Sequence, residues 1–292
     1  MKVLIFGADG QLGSELLRKP WPAGLTRIGL MIGDCDITDE AAVRGAFEEH
    51  RPDLVVNAAA YTAVDKAEED IDIAFRVNAG GVRFLARYAA SALIPLVHVS
   101  TDYVFDGTKE GAYLEDDPVK PIGIYGESKE AGEKAVRELI AAHVILRTAW
   151  VYSPFGNNFV KTMLRVGAQR PELRVVNDQQ GCPTAAGDLA TTIIDIAGKI
   201  LQEGATPWGT YHYCGATATT WHGLAEAVFG LSDLNPKPVV QPIPTHEYPT
   251  PAKRPANSVL DCTKITRDLG ITPRPMADSL AEVMADLKQM EG

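Results

Sequence analysis

Short, unbroken apolar runs separated by stretches with helical spacing dominate the first half of the chain. The runs Lys2–Phe6, Leu25–Met31, Asp53–Asn57, Leu96–Ser100 and Val144–Arg147 predict strands, and Gln11–Lys19, Asp39–His50, Asp70–Ser91 and Tyr125–Ala142 predict the helices between them. Such alternation is the signature of an α/β fold, a doubly wound parallel sheet with helices on both faces. Thr38, followed by acidic residues, is placed to cap the second helix.

From Trp150 onward the pattern loosens into proline- and glycine-bearing segments, with helices expected at Asn158–Ala168, Asp188–Gln202, Thr220–Phe229 and Ala277–Met290. This predicts a larger sheet unit over residues 1–150 and a smaller cap over 151–292, with a strand near Thr210–Tyr213 returning to the main sheet. The stretch Asn235–Pro255 carries seven prolines between patterned flanks and is expected as an ordered, extended loop.

Composition narrows the partners. At 292 residues the chain can bury a large core, and its net charge of -10 leaves no basic surplus for neutralising nucleic-acid phosphates. Any phosphate ligand must therefore be held by a few placed groups. The cysteines, Cys35, Cys182, Cys214 and Cys262, show no CxxC spacing and are expected as reduced thiols in a cytoplasmic protein. The amino-terminal apolar run meets Gly7 far too soon for a signal-peptide core, and no uncharged run approaches membrane-spanning length, so no membrane partner is expected. The six histidines are scattered without HExxH spacing, and no GxSxG elbow surrounds a serine, which turns the reading away from metal and serine-hydrolase chemistry.

Gly7, Gly10 and Gly13, in Gly7-Ala8-Asp9-Gly10-Gln11-Leu12-Gly13, follow the first strand and open the first helix, the context of a dinucleotide loop. The second strand ends in Met31-Ile32, without an acid for ribose hydroxyls or an arginine for a 2'-phosphate, so NADPH and NADH both remain open. Asp36 and Ile37 begin the next segment, where Asp36 either meets the adenine edge or caps the chain. Asn57-Ala58-Ala59-Ala60 ends the third strand with small residues that admit a ligand at the carboxyl edge of the sheet.

The reactive group is read from Tyr125-Gly126-Glu127-Ser128-Lys129, which follows a strand ending in Ser100-Thr101-Asp102. Tyr125 and Lys129, four apart on a helix, share one face. The ammonium there is expected to acidify a phenol that gives its proton to a ketone receiving hydride, with Thr101 supplying a second hydrogen bond to the same oxygen. Asp102 is placed to tune this relay, contact substrate or cap the following loop, and Trp150 to wall the pocket.

These segments, together with Val56–Asp65, Asp102–Gly107, Arg147–Tyr152, Asp178–Thr184 and Arg254-Pro255-Ala256-Asn257-Ser258, resemble the extended short-chain dehydrogenase/reductases nearly end to end, and within them the branch that completes dTDP-L-rhamnose. The resemblance implies a Rossmann fold and hydride transfer from NADPH or NADH to the C4 ketone of a dTDP-linked 4-keto-6-deoxyhexose. It makes Tyr125 the proton donor, with Lys129 and Thr101 completing the catalytic set. Gly10, Gln11, Leu12, Asp36, Ile37, Ala60, Tyr61 and Thr62 would line the cofactor, and Thr101, Asp102 and Trp150 the sugar. Some members dimerise through magnesium held by glutamates; Glu15 is present here, but Gly187 stands where the metal-using pattern has a glutamate, so magnesium is not expected and the chain is either a monomer or a homodimer. Arg254 is the expected grip on the diphosphate, because a guanidinium fork suits it. The regulatory subunit of methionine adenosyltransferase is similar to the same family, and a sibling ketoreductase would make another deoxysugar; the intact Thr101, Tyr125 and Lys129 favour an enzyme.

Overall fold

The computed structural model describes residues 1–291. Five strands of the first half are β1 (Lys2–Phe6), β2 (Thr26–Leu30), β3 (Leu54–Asn57), β4 (Leu96–Thr101) and β5 (His143–Thr148). With Gly209–His212 they form one parallel sheet in the order Gly209–His212, β5, β4, β3, β1, β2. Val3, Ile5, Val56, Val97 and Leu146 pack to one side, and Leu4, Phe6, Val55, Leu96 and Ile145 to the other. Burial on both faces is why these strands read as unbroken apolar runs.

One face is covered by α1 (Gln11–Arg18) and by helix Ala186–Gln202, through Leu16, Leu189, Ile193 and Ala197. The other is covered by α2 (Glu40–His50) and helices Val82–Ser91 and Ile124–Leu139, through Val43, Phe47, Leu85 and Val136. A separate apolar cluster, apart from the two that sandwich the sheet, is built on Tyr152, Val160, Leu224, Val228, Leu280 and Met284. Helix Ala186–Gln202 and strand Gly209–His212 thus belong to the sheet layers although both follow residue 150.

Three local expectations change. The cap of α2 is Asp39, not Thr38: its carboxylate accepts the amides of Ala41 and Ala42 at 2.8 and 3.3 Å, while the Thr38 amide is taken by Asp36. The helix expected over Asp70–Ser91 is Ile71–Phe75, a π-helical stretch Arg76–Gly81 and Val82–Ser91. The proline-rich stretch holds a strand, Val239–Ile243, paired in parallel with Glu172–Val176. Pro242 is tolerated because this strand pairs on one side only, so its missing donor interrupts no second ladder.

Candidate active site

The cleft opens where the strand order reverses, between β1 and β3. Gly7 has φ +80°, and a Cβ there would come 2.6 Å from the Ala59 amide nitrogen; a Cβ on Gly13 would come 2.1 Å from the Gly7 carbonyl. Packing alone explains these two glycines. At Gly10, which starts α1 without a side-chain cap, a Cβ would meet nothing closer than the Gly7 oxygen at 3.4 Å. Its bareness leaves room beside the helix's amino terminus, which suits a pyrophosphate. Across the cleft, Asn57 shapes the alanine turn: its Oδ1 accepts the Ala59 amide at 3.1 Å and its Nδ2 donates to His98 Nδ1 at 3.0 Å. Burial holds the His98 pKa well below its ordinary value, so the imidazole is a neutral acceptor.

Two cavities meet at Gly10, Ala58 and Ala60. The smaller, ≈ 270 Å³, takes Gly7, Cys35, Asp36, Ile37 and Ala59; the larger, ≈ 610 Å³, takes Thr101, Asp102, Tyr125, Lys129, Trp150 and Trp221. A ligand with one end at each would lay its middle over the first turn of α1, where Gln11 and Leu12 line the wall and Thr62 faces them. These residues fit a nicotinamide dinucleotide.

Tyr125 lies in the first turn of helix Ile124–Leu139, which can press onto the Tyr103 carbonyl because residue 126 is glycine; a Cβ there would come 2.2 Å from that oxygen. The Tyr103 and Tyr125 rings meet edge to face at 5.5 Å. Burial pushes the Tyr125 phenol up to about 12, with the Thr101 hydroxyl pulling it down and the Asp102 charge adding to the rise. Lys129 is 2% exposed and donates to the Val99 carbonyl at 2.8 Å; burial pulls it down to about 8 against the opposing Glu133 carboxylate. The expected acidification of the phenol by the ammonium is not seen: burial, the Thr101 hydroxyl and the Asp102 charge account for its shift. Asp102, also buried, is pushed up to about 6 against the Ser258 and Thr101 hydroxyls. The Thr101 hydroxyl donates to Asp102 Oδ1 at 2.9 Å, so its single proton is committed while Asp102 is ionised.

Residues 1–289 match the family model described as the RmlD substrate binding domain. The chain belongs to the RmlD family. A dTDP-4-dehydrorhamnose reductase of Aggregatibacter actinomycetemcomitans is 42% identical over 97% of this chain and 98% of its own length. Among solved structures, a Clostridium acetobutylicum dTDP-4-dehydrorhamnose reductase is 40% identical with a TM-score of 0.93, covering 99% of this chain and 100% of its own. The Bacillus anthracis enzyme, solved in complex with NADP, is 36% identical with a TM-score of 0.91 over 98% and 99% of the two chains.

In this RmlD-family chain three expected site residues stand apart from the cavity walls. Gly13 serves helix packing. Tyr61 is turned away, its hydroxyl on Asp70 at 3.0 Å. Arg254 gives its fork to Asp65 at 2.5 and 2.7 Å and also donates to the Ala252 carbonyl, so its planar face is already committed to a carboxylate. Asp36 lines the smaller cavity while its carboxylate accepts the Thr38 amide at 2.9 Å. Among the described residues no group of three His, Cys, Asp or Glu side chains has metal-binding geometry, and Glu15 is paired with Arg18.

Two residues escaped the sequence reading. Asn78, in the π-helical stretch, accepts the Tyr61 amide at 2.8 Å and donates to the Tyr61 carbonyl and to Ser128 Oγ, each at 3.0 Å. Ser128 in turn donates to the Tyr125 carbonyl at 2.8 Å, so one amide ties the loop carrying Tyr61 to the helix carrying Tyr125. Trp221 stacks on Trp150 with ring centroids 3.5 Å apart and planes 5° from parallel, while its indole nitrogen donates to Gln179. Trp150 holds a left-handed φ of 49° and lies against Gly181, where a Cβ would come 2.4 Å from its ring.

Proposed function

We propose that this chain reduces the C4 ketone of dTDP-4-dehydro-L-rhamnose with NADPH or NADH, giving dTDP-L-rhamnose. The observation that carries the reading is the convergence of Thr101, Tyr125 and Lys129 in one cleft that continues into the dinucleotide loop. Family membership and the named activity of full-length relatives support the substrate.

The bound reduced nicotinamide supplies the hydride. Gly10, Gln11 and Leu12 would hold its pyrophosphate, and Asp36, Ile37, Ala59 and Ala60 its adenosine end. Tyr125 keeps its proton at neutral pH, because burial sets its pKa near 12, and so it enters the reaction as the acid. Lys129 is largely protonated at pH 7 and supplies the cation that stabilises the phenolate left behind. Thr101 couples Tyr125 to Asp102, and protonation of Asp102 frees the Thr101 hydrogen to turn toward substrate oxygen. The Trp150–Trp221 stack walls the sugar side of the pocket. Arg254, steadied by Asp65, is assigned to the rim rather than to the diphosphate. No helix among the described residues is long and apolar enough to cross a membrane, and a reaction on a nucleotide sugar with reduced nicotinamide suits the cytoplasm, with the chain as monomer or homodimer.

The test is reduction of dTDP-4-keto-L-rhamnose with each nicotinamide, with the product's stereochemistry determined. Both cofactors should support turnover, within about two decades in kcat/KM, since each decade needs only ~1.4 kcal/mol of differential binding. Strict dependence on NADH would refute the cofactor assignment, a product of the other C4 configuration would refute the product assignment, and no turnover would refute the substrate assignment.

A further inference from the structure

Three of the four cysteines, distant in sequence, come together outside the reductase cleft. Cys182, Cys214 and Cys262 line a cavity of ≈ 500 Å³ whose wall also holds Asp261, Thr266 and Arg267. Cys214 follows the sixth sheet strand, and Cys262 leads helix Thr263–Leu269. Their sulfurs are 3.6 Å apart. Cys214 is buried and Cys262 partly exposed, so the pair has one sulfur a solute can reach and one that only its neighbours can.

We infer that Cys214 and Cys262 form a redox-sensitive site that a peroxide converts to a disulfide, with the third thiol, Cys182, beside it. In the first step the Cys262 sulfur attacks a peroxide oxygen; the S–O bond forms, the O–O bond breaks, and the departing hydroxide takes the thiol proton to leave as water. In the second step the Cys214 sulfur attacks the sulfenic sulfur; the S–S bond forms, the S–O bond breaks, and hydroxide leaves as water with the Cys214 proton. Two thiols lose two electrons and the peroxide gains them. The sulfurs need to close by only ~1.5 Å to reach bonding distance. A resolving thiol this close also outcompetes the slower passage of a sulfenic acid to irreversible oxidation states.

The surroundings favour this pair over the remaining cysteine. Cys35 stands apart, lining the smaller cavity beside Asp36 and Ile37, whereas the other three share one cavity and Cys214 and Cys262 lie sulfur to sulfur. In the cluster, Cys214 acts as hydrogen-bond partner to both neighbours: it pulls the Cys182 thiol below its ordinary pKa and is itself raised. The reductase chemistry uses none of these three sulfurs. The cluster is nonetheless continuous with the substrate wall, because Cys182 is bonded to Gly181, on which Trp150 rests.

The test reads the wild-type chain first, and one variant serves as its control. Protein exposed to equimolar hydrogen peroxide is blocked with N-ethylmaleimide, weighed intact and mapped after digestion. Against the reduced protein blocked in the same way, both unfolded for the blocking, the expected result is two fewer maleimide adducts with a further loss of about 2 Da for the two hydrogens of the disulfide, one peptide linking Cys214 to Cys262, alkylation confined to Cys35 and Cys182, and recovery of four reactive thiols after dithiothreitol. Cys262→Ser should abolish the mass loss. A linked peptide that omits either Cys214 or Cys262, or oxygen addition at Cys35 without any cross-link, would overturn the assignment.

Discussion

Replacing Asp102 by asparagine should stabilise the protein, with a gain that grows between about pH 4 and 6 and is full at neutral pH and above. Asp102 is 2% exposed, and burial raises its carboxyl from 3.8 to about 6. A raised folded-state pKa means that the native form holds the proton more tightly than the unfolded chain. Its stabilising contribution is fully present below about pH 3.8 and is lost as pH rises through about 6. The interval of about two pH units corresponds to about 3 kcal/mol at ~1.4 kcal/mol per unit. Asp102→Asn removes the charge and keeps an oxygen to accept from Thr101. At pH 8 the variant should gain up to about 3 kcal/mol, which at an m-value of about 3 kcal/mol/M moves the urea midpoint up by roughly 1 M. At pH 4, where the wild-type carboxyl is protonated, the two midpoints should nearly coincide. Urea unfolding followed by circular dichroism at the two pH values checks it. An equal gain at both, or none at pH 8, would show that the Asp102 charge is not what burial penalises. The same variant should flatten any change in kcat centred near pH 6, since the group that switches the Thr101 proton is gone.

Tyr125→Phe should leave cofactor affinity unchanged and lower kcat by about 10²- to 10⁴-fold, the usual range for a lost general acid; near wild-type turnover would require another proton donor. Glu133→Gln strips the carboxylate from Arg147, a fully buried guanidinium bonded to it at 2.7 and 2.8 Å, and should cost about 3–5 kcal/mol in chemical denaturation. Most of that should return in Glu133→Leu with Arg147→Met, and failure to recover would place the cost elsewhere. Trp221→Ala should raise KM for the nucleotide sugar more than it lowers kcat, because an aromatic wall binds ground and transition states alike; steady-state kinetics with KM unchanged would return Trp221 to the core.

What the chain displays openly is local. β1 occupies the residues its apolar run predicts, and Gly10 opens α1 as its spacing does, because a strand, a tight turn and a helix start are encoded within a dozen neighbouring positions. Tyr125 and Lys129 are legible for the same reason: the helix period puts them on one face. The electrostatics of that face are not, since the fall of Lys129 and the rise of Tyr125 come from how much water the finished fold excludes. Asn78 was hidden by a change of helical period that no apolar spacing announces. The pairing of Arg254 is not legible either, because its partner, Asp65, lies on a distant segment and a lone arginine in sequence carries no sign of it. Trp221 and the cysteine cluster were likewise assembled by tertiary packing alone.

The late arrival of helix Ala186–Gln202 and strand Gly209–His212 in the central sheet sets the order in which a growing chain can mature. When β5 has been synthesised, Thr101, Tyr125 and Lys129 are already part of the chain. Yet the side of the sheet carrying Val97 and Leu146 still lacks the helix that will cover it, and β5 has an open edge. At about 5–20 residues per second this state lasts for seconds, long enough for an uncovered apolar layer to engage a chaperone or a second nascent chain. The half of the chain that carries Thr101, Tyr125 and Lys129 is therefore made before the layer that covers it.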